Sequence, residues 1–127
     1  MGKKILIVDS EQNFLDVMEL LIKTFGYEVI KINNSEEALR IVKQEKVDGI
    51  VLDSKMPKMS GYMVVHLLKN DISSKNIPIL LLTRNAQMAG SISLKNATPY
   101  HISKPFQSDE FINAFNSMMN EVEPRKL

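Results

Sequence analysis

The sequence predicts an α/β domain of alternating strands and helices, (βα)5, wound in both directions around a five-stranded parallel sheet. Three observations carry that prediction. Ile5-Leu6-Ile7-Val8, Ile50-Val51-Leu52 and Ile79-Leu80-Leu81-Leu82 are short, continuously apolar runs that end on polar residues, the pattern of strands buried on both faces. The segments between them carry apolar residues at helical spacing. Strands separated by helices of this length imply right-handed crossovers that cover both faces of a parallel sheet.

In chain order, Ile5 to Val8 is the first strand and ends on Asp9. Phe14, Met18, Leu21 and Phe25 recur at helical spacing behind it, with Ser10 placed to cap the helix start and Gly26 its end. Tyr27 to Ile32 mixes Glu28 and Lys31 into an apolar run, which suits an edge strand. Ser35-Glu36-Glu37 opens a second helix with carboxylates in its first turn, where the dipole favours them, and turns Ala38, Leu39 and Val42 inward. Ile50-Val51-Leu52 delivers Asp53 into a loop that closes at Ser60-Gly61, and a third helix then presents Val64, Leu67 and Leu68. Met56, Met59 and Met63 read as adaptable core filling, and His66 as a surface residue.

The fourth strand, Ile77 to Leu82, ends on Thr83, with Pro78 near its start where a missing donor is tolerated. Between Asn85 and Asn96 the periodicity is weak, resting on Met88, Ile92 and Leu94 and broken by Gly90, so a short helix is expected there. Tyr100 to Ser103 is the fifth strand and runs into Lys104-Pro105-Phe106. Ser108-Asp109-Glu110 starts a last helix with an apolar stripe of Phe111, Phe115, Met118 and Val122.

At 127 residues and 44% apolar composition, the chain suits one domain, expected over 1–122 with a frayed tail at 123–127. Its 16 basic and 15 acidic residues balance, so no global charge points to direct nucleic-acid contact or an anionic membrane. It has no cysteine, which excludes disulfides and thiolate sites and suits a cytoplasmic protein. No apolar run approaches the length of a membrane span.

Asp9, Asp53, Thr83 and Lys104 each fall at the carboxyl end of a different strand, the edge where open α/β sheets bind ligands. Two carboxylates and a backbone carbonyl after Asp53 make an oxygen-rich site suited to Mg²⁺. A carboxylate nucleophile beside a divalent cation, the Lys104 ammonium and the Thr83 hydroxyl is arranged to accept a phosphoryl group.

With ILIVDSE, LDSKMPKMSG, ILLLT and SKPF in this order, the chain resembles a response-regulator receiver domain of two-component signalling over essentially its whole length. From Asp9 it is 44 residues to Asp53, 30 more to Thr83 and 21 more to Lys104. The resemblance implies a flavodoxin-like fold and transfer of phosphate from a histidine kinase, a phosphotransfer protein or a small phosphodonor to Asp53. It further implies Mg²⁺ held by Asp9, Asp53 and the Lys55 carbonyl, with Lys104 and Thr83 closing on the phosphoryl group. A partner-binding surface is then remodelled for a downstream protein target. Beyond self-phosphorylation and self-dephosphorylation at Asp53 it implies no metabolic activity, and it carries over a cis Lys104-Pro105 bond. With no residues left for an output domain, a stand-alone receiver is expected.

This chain departs from the family pattern at three places. Asp9-Ser10 replaces a pair of acids, which predicts weaker Mg²⁺ binding, with Ser10 or Glu11 in reach of the metal through water. His101 stands where the family has its switch aromatic, three residues before Lys104, and Tyr100 is one residue earlier. Strand alternation sends those two side chains to opposite faces, so only one can serve, and His101 is preferred. Arg84 follows Thr83 where a small residue is usual, and can cover the pocket or pair with its acids. The Lys55 side chain can overhang the pocket and shield an acyl phosphate from water.

Two other functions compete. A phosphorylation-independent interaction module on the same fold is favoured by Ser10 and Arg84 and opposed by Asp53, Thr83 and Lys104. A nucleotide or flavin protein would need a phosphate loop after the first strand, where this chain has Asp9 and Glu11.

Overall fold

The computed structural model describes residues 2–84 and 98–122. Its elements are β1 (Lys4–Val8), α1 (Gln12–Lys23), β2 (Glu28–Ile32), α2 (Ser35–Gln44), β3 (Gly49–Asp53), α3 (Gly61–Lys69), β4 (Ile79–Thr83), β5 (Tyr100–Ser103) and α4 (Ser108–Val122). The expected helix between Asn85 and Asn96, the tail 123–127 and the side chain of Val122 lie outside the described residues.

All strand pairs are parallel, in the order β2-β1-β3-β4-β5, so β2 is an edge strand as its mixed composition requires. The apolar strands are sandwiched because alternate residues feed two cores. Leu6, Val8, Ile50, Leu52, Ile79 and Leu81 pack under α2 and α3. Ile5, Ile7, Val51, Leu80 and Leu82 pack under α1 and α4, where Phe111 and Phe115 are fully buried and their rings stack 5.6 Å apart. Burial from both sides leaves no polar face, which is why these strands read as continuous apolar runs.

Several local expectations are corrected. Ser10 is exposed and does not cap α1, whose N-cap position is Glu11 without a side-chain cap bond. Asp9 supplies the local bond instead, its Oδ1 accepting from the Glu11 N–H at 2.9 Å. The buried stripe of α1 is Leu15, Met18 and Ile22, while Phe14 and Leu21 are partly buried and Phe25 is exposed. The helix starts later and is rotated relative to the predicted stripe. Gly26 does stand past the end of α1 with φ +91°, a conformation open to a residue without Cβ.

α2 is capped by Asn34, one residue before the predicted opening, with its side chain accepting from the Glu37 N–H at 2.8 Å. In α3 the inward residues are Val64, Val65 and Leu68, and Leu67 faces out. Met56 is core, Met59 is partly buried, and Met63 is exposed, so the three are not one filling cluster. His66 is exposed, as expected. α4 buries Met119 in addition to Phe111, Phe115 and Met118.

Candidate functional site

Strand register assembles the site. β1 and β3 align Val8 with Leu52, so Asp9 and Asp53 emerge side by side where the winding direction reverses, the crevice in which such sheets bind ligands. β4 and β5 align Thr83 with Ser103, which puts Lys104 next in line. Asp9, Asp53 and Thr83 are each 0% exposed.

The Lys104 ammonium lies 2.6 Å from Asp9 Oδ2 and 3.6 Å from Asp53 Oδ2. The ammonium also sits over the Phe14 ring, with Nζ 4.0 Å from its centroid, and Phe106 is edge-on to Phe14 at 6.1 Å. The peptide that follows, Lys104–Pro105, is cis. Asp53 Oδ1 accepts from the Lys55 N–H at 3.2 Å. Asp53 Oδ2 is buried and has no hydrogen-bond donor among the described residues, although Arg84 stands 3.5 Å away and bridges on to Glu11 at 3.3 Å. The Thr83 hydroxyl is 3.4 Å from the Ser103 hydroxyl.

Burial pushes the Asp53 carboxyl above its ordinary range. The Lys104 ammonium and the Lys55 N–H pull it back, Asp9 adds to the rise, and Arg84 opposes it. Without divalent cations, Asp53→Asn is therefore expected to raise stability at neutral pH, on the order of 1 kcal/mol. A carboxyl raised from its ordinary value of 3.8 favours the folded state fully below that value and loses the favour as pH climbs through the raised one. The gain from asparagine should grow from about pH 4 upward and then level off. Urea denaturation of both proteins across that range checks it, and a gain that shrinks with rising pH would refute it.

The donor set fits Mg²⁺. Among the described residues no group of three acids or histidines surrounds one point, so a cation here would rest on Asp9, Asp53 and a loop carbonyl and keep several waters, as Mg²⁺ does. The orphaned Asp53 Oδ2 is an oxygen with capacity to spare. Ser10 and Lys55 are exposed beside this crevice and share a groove with Glu11 and Arg84.

Tyr100 and His101 separate as alternation requires: Tyr100 packs in the α1/α4 core, and His101 aligns with Leu81 of the α2/α3 core. Sequence reasoning missed Ser103 and the seating of Lys104 on Phe14. The strand register marks Ser103, since it pairs with Thr83, but Phe14 reads only as part of an apolar stripe.

A doubly wound sheet with paired acids and a lysine at its switch point defines an α/β domain with a candidate ligand site at the carboxyl edge of its sheet. Residues 5–116 match the family model described as the response regulator receiver domain. A probable transcriptional regulator ycf27 of Porphyridium aerugineum is 33% identical, covering 95% of this chain and 50% of its own length. The alkaline phosphatase synthesis transcriptional regulatory protein PhoP of Bacillus subtilis is 35% identical over 90% of this chain and 47% of its own. The response regulator TrrA of Thermotoga maritima, solved in complex with Mg²⁺–BeF, is 29% identical with a TM-score of 0.80 over 91% of this chain and 98% of that one. The chain belongs to the response regulator receiver domain family of two-component systems. It spans about half the length of the curated relatives it matches. Among the described residues no helix is long and apolar enough to cross a membrane.

Proposed function

We propose that Asp53 is the phosphoacceptor of this receiver, taking a phosphoryl group from a histidine kinase, a phosphotransfer protein or a small phosphodonor in the cytoplasm. The observation that carries this reading is Asp53 Oδ2, a buried carboxylate oxygen without a hydrogen-bond donor among the described residues, facing Lys104 at 3.6 Å and Arg84 at 3.5 Å. That atom attacks phosphorus while the bond from phosphorus to the donor's nitrogen or oxygen breaks, and the bonding pair leaves on the donor. Asp9, Asp53 and the Lys55 carbonyl would hold Mg²⁺, with Ser10 or Glu11 reaching it through water. When bound, the metal neutralises phosphoryl oxygens during transfer. With Ser10 in place of a second acid, its affinity is lower than usual for the family.

Lys104 holds the charge of the phosphoryl group, and Thr83 exchanges its Ser103 contact for a phosphoryl oxygen. His101 then follows Thr83 as the switch residue. The packing of Tyr100 in the α1/α4 core supports this choice. The Lys55 side chain shields the acyl phosphate. The signal leaves residues 1–122 by protein docking and not by direct nucleic-acid contact, in line with the balanced charge.

The test is intact mass after brief exposure to acetyl phosphate, with and without Mg²⁺, for wild type and Asp53→Asn. One phosphoryl adduct is expected on the wild type with Mg²⁺ alone among the four samples. Its absence from folded wild type across a millimolar Mg²⁺ range would favour the phosphorylation-independent interaction module, to which the Arg84–Asp53 contact lends support.

A further inference from the structure

Arg84 is the charged group at this site that the acceptor chemistry leaves without a task. Its guanidinium spans the mouth of the crevice, 3.3 Å from Glu11 Oε1 and 3.5 Å from Asp53 Oδ2. The Glu11–Arg84 pair stands between two grooves. One, of about 450 Å³, lies toward Phe14, Lys104 and Phe106. The other, of about 410 Å³, lies toward Ser10, Lys55 and Met56. Both grooves are lined by this pair, and Arg84 reaches from it to Asp53 Oδ2.

Charge and shape give Arg84 different consequences in the two states of the site. In the resting protein the buried acids Asp9 and Asp53 face Lys104, and Arg84 adds a second positive charge 3.5 Å from Asp53 Oδ2, with the exposed Lys55 at the rim of the same groove as Glu11. A divalent cation is attracted to the buried acid pair, and Arg84 diminishes the attraction. A phosphoryl group on Oδ2 carries its oxygens into the space around that atom, where Lys104 and Arg84 stand within 3.6 Å. A guanidinium presents a planar fork of donors that matches phosphoryl oxygens, whereas its contact with Oδ2 at rest is an ion pair without a hydrogen bond.

We propose that Arg84 is a second phosphoryl-binding cation of this site, stationed over Asp53 by Glu11, and that at rest it competes with the divalent cation for the acid cluster. The inference rests on the reading of Asp53 as phosphoacceptor. It predicts opposite signs for two measurements on one variant, a result that a merely structural arginine would not give.

The experiment uses the full chain, labelled with ¹⁵N, and follows amide shifts around Asp53 in two titrations at fixed ionic strength. The probes are Mg²⁺ alone, then beryllofluoride at saturating Mg²⁺ as a tetrahedral phosphoryl mimic. Arg84→Ala should bind Mg²⁺ about three- to tenfold more tightly and beryllofluoride about tenfold more weakly than wild type. Arg84→Lys, which keeps the charge and loses the fork, should match wild type for Mg²⁺ and fall between the two for beryllofluoride.

Mg²⁺ binding by Arg84→Ala that is unchanged or weaker, or unchanged beryllofluoride binding, overturns the proposal and leaves the acceptor reading intact. A wild type that takes up neither probe overturns both. The Mg²⁺ titration also verifies that the variant is folded, because the acid pair exists only in the assembled sheet.

Discussion

Gly61→Ala is expected to cost about 3 kcal/mol of stability and to slow phosphorylation of Asp53 without touching a charged group. A Cβ on Gly61 would lie 2.2 Å from the Asp53 carbonyl oxygen, 2.7 Å from Ser54 Cα and 2.9 Å from the Asp53 carbonyl carbon. All three are backbone atoms, so no side chain can swing aside to relieve the clash. The Gly61 N–H donates to the Ser54 carbonyl at 2.9 Å, which ties the first turn of α3 to the end of β3. Either this bond breaks and α3 retreats, or the acceptor loop moves with it. Both routes disturb the position of Asp53 against Lys104. Urea denaturation gives the stability, and the rate of adduct formation from acetyl phosphate gives the displacement. A variant as stable as wild type would show that the approach is not as close as described.

The contrast between Gly61 and Asp53 explains what the sequence could reveal. Asp53, Asp9, Thr83 and Lys104 were legible because a strand end is a chemical boundary, where an apolar run meets one polar residue, and a parallel sheet gathers such ends on one edge. The alternation of strands and helices was legible for the same reason, since burial on both faces leaves an unbroken apolar run. Gly61 read only as the place where the acceptor loop closes and a helix begins. Its close approach to Asp53 is a distance between backbones far apart in mechanism though near in sequence, and no residue pattern encodes it.

Helix faces were read less well where two registers compete. In α1 the alternatives Phe14-Met18-Leu21 and Leu15-Met18-Ile22 are both apolar, and the choice depends on where the helix begins. That start is set by Asp9, whose carboxylate takes the Glu11 N–H, so a site residue performs the local work expected of Ser10. Val17 and Leu20 remain exposed on the same helix, which blurs its apolar stripe further. Arg84 was legible as an unusual neighbour of Thr83, but its bridge between Glu11 and Asp53 depends on the folded loops.

Lys104→Met is expected to slow phosphoryl transfer to Asp53 about 10²- to 10³-fold, the usual scale for losing one preorganised charge-stabilising group. It should also lower stability by about 3 kcal/mol at neutral pH. The two losses have one origin and can be separated. Methionine leaves an apolar side chain of similar length beside Phe14 but gives up the cation–π contact of Lys104 Nζ, 4.0 Å from the ring centroid. What disappears is the cation shared by Asp9 at 2.6 Å and Asp53 at 3.6 Å, two carboxylates that are both 0% exposed. Arg84 reaches Asp53 but is half exposed and already engaged by Glu11, so it compensates only in part. Without Lys104 the Asp53 carboxyl rises further, because the largest influence opposing its burial is gone. A raised carboxyl favours the folded state at low pH and loses that favour as pH climbs, so the deficit against wild type should be smaller at acid than at neutral pH. Mg²⁺ should also restore much of the stability, because a divalent cation between the acids replaces the missing charge. It should not restore the rate, since the ammonium beside Oδ2 is needed when charge develops on the transferring group. Denaturation at acid and neutral pH with and without Mg²⁺, alongside phosphorylation kinetics, tests each step. Full recovery of rate by Mg²⁺ would reduce Lys104 to a structural counterion.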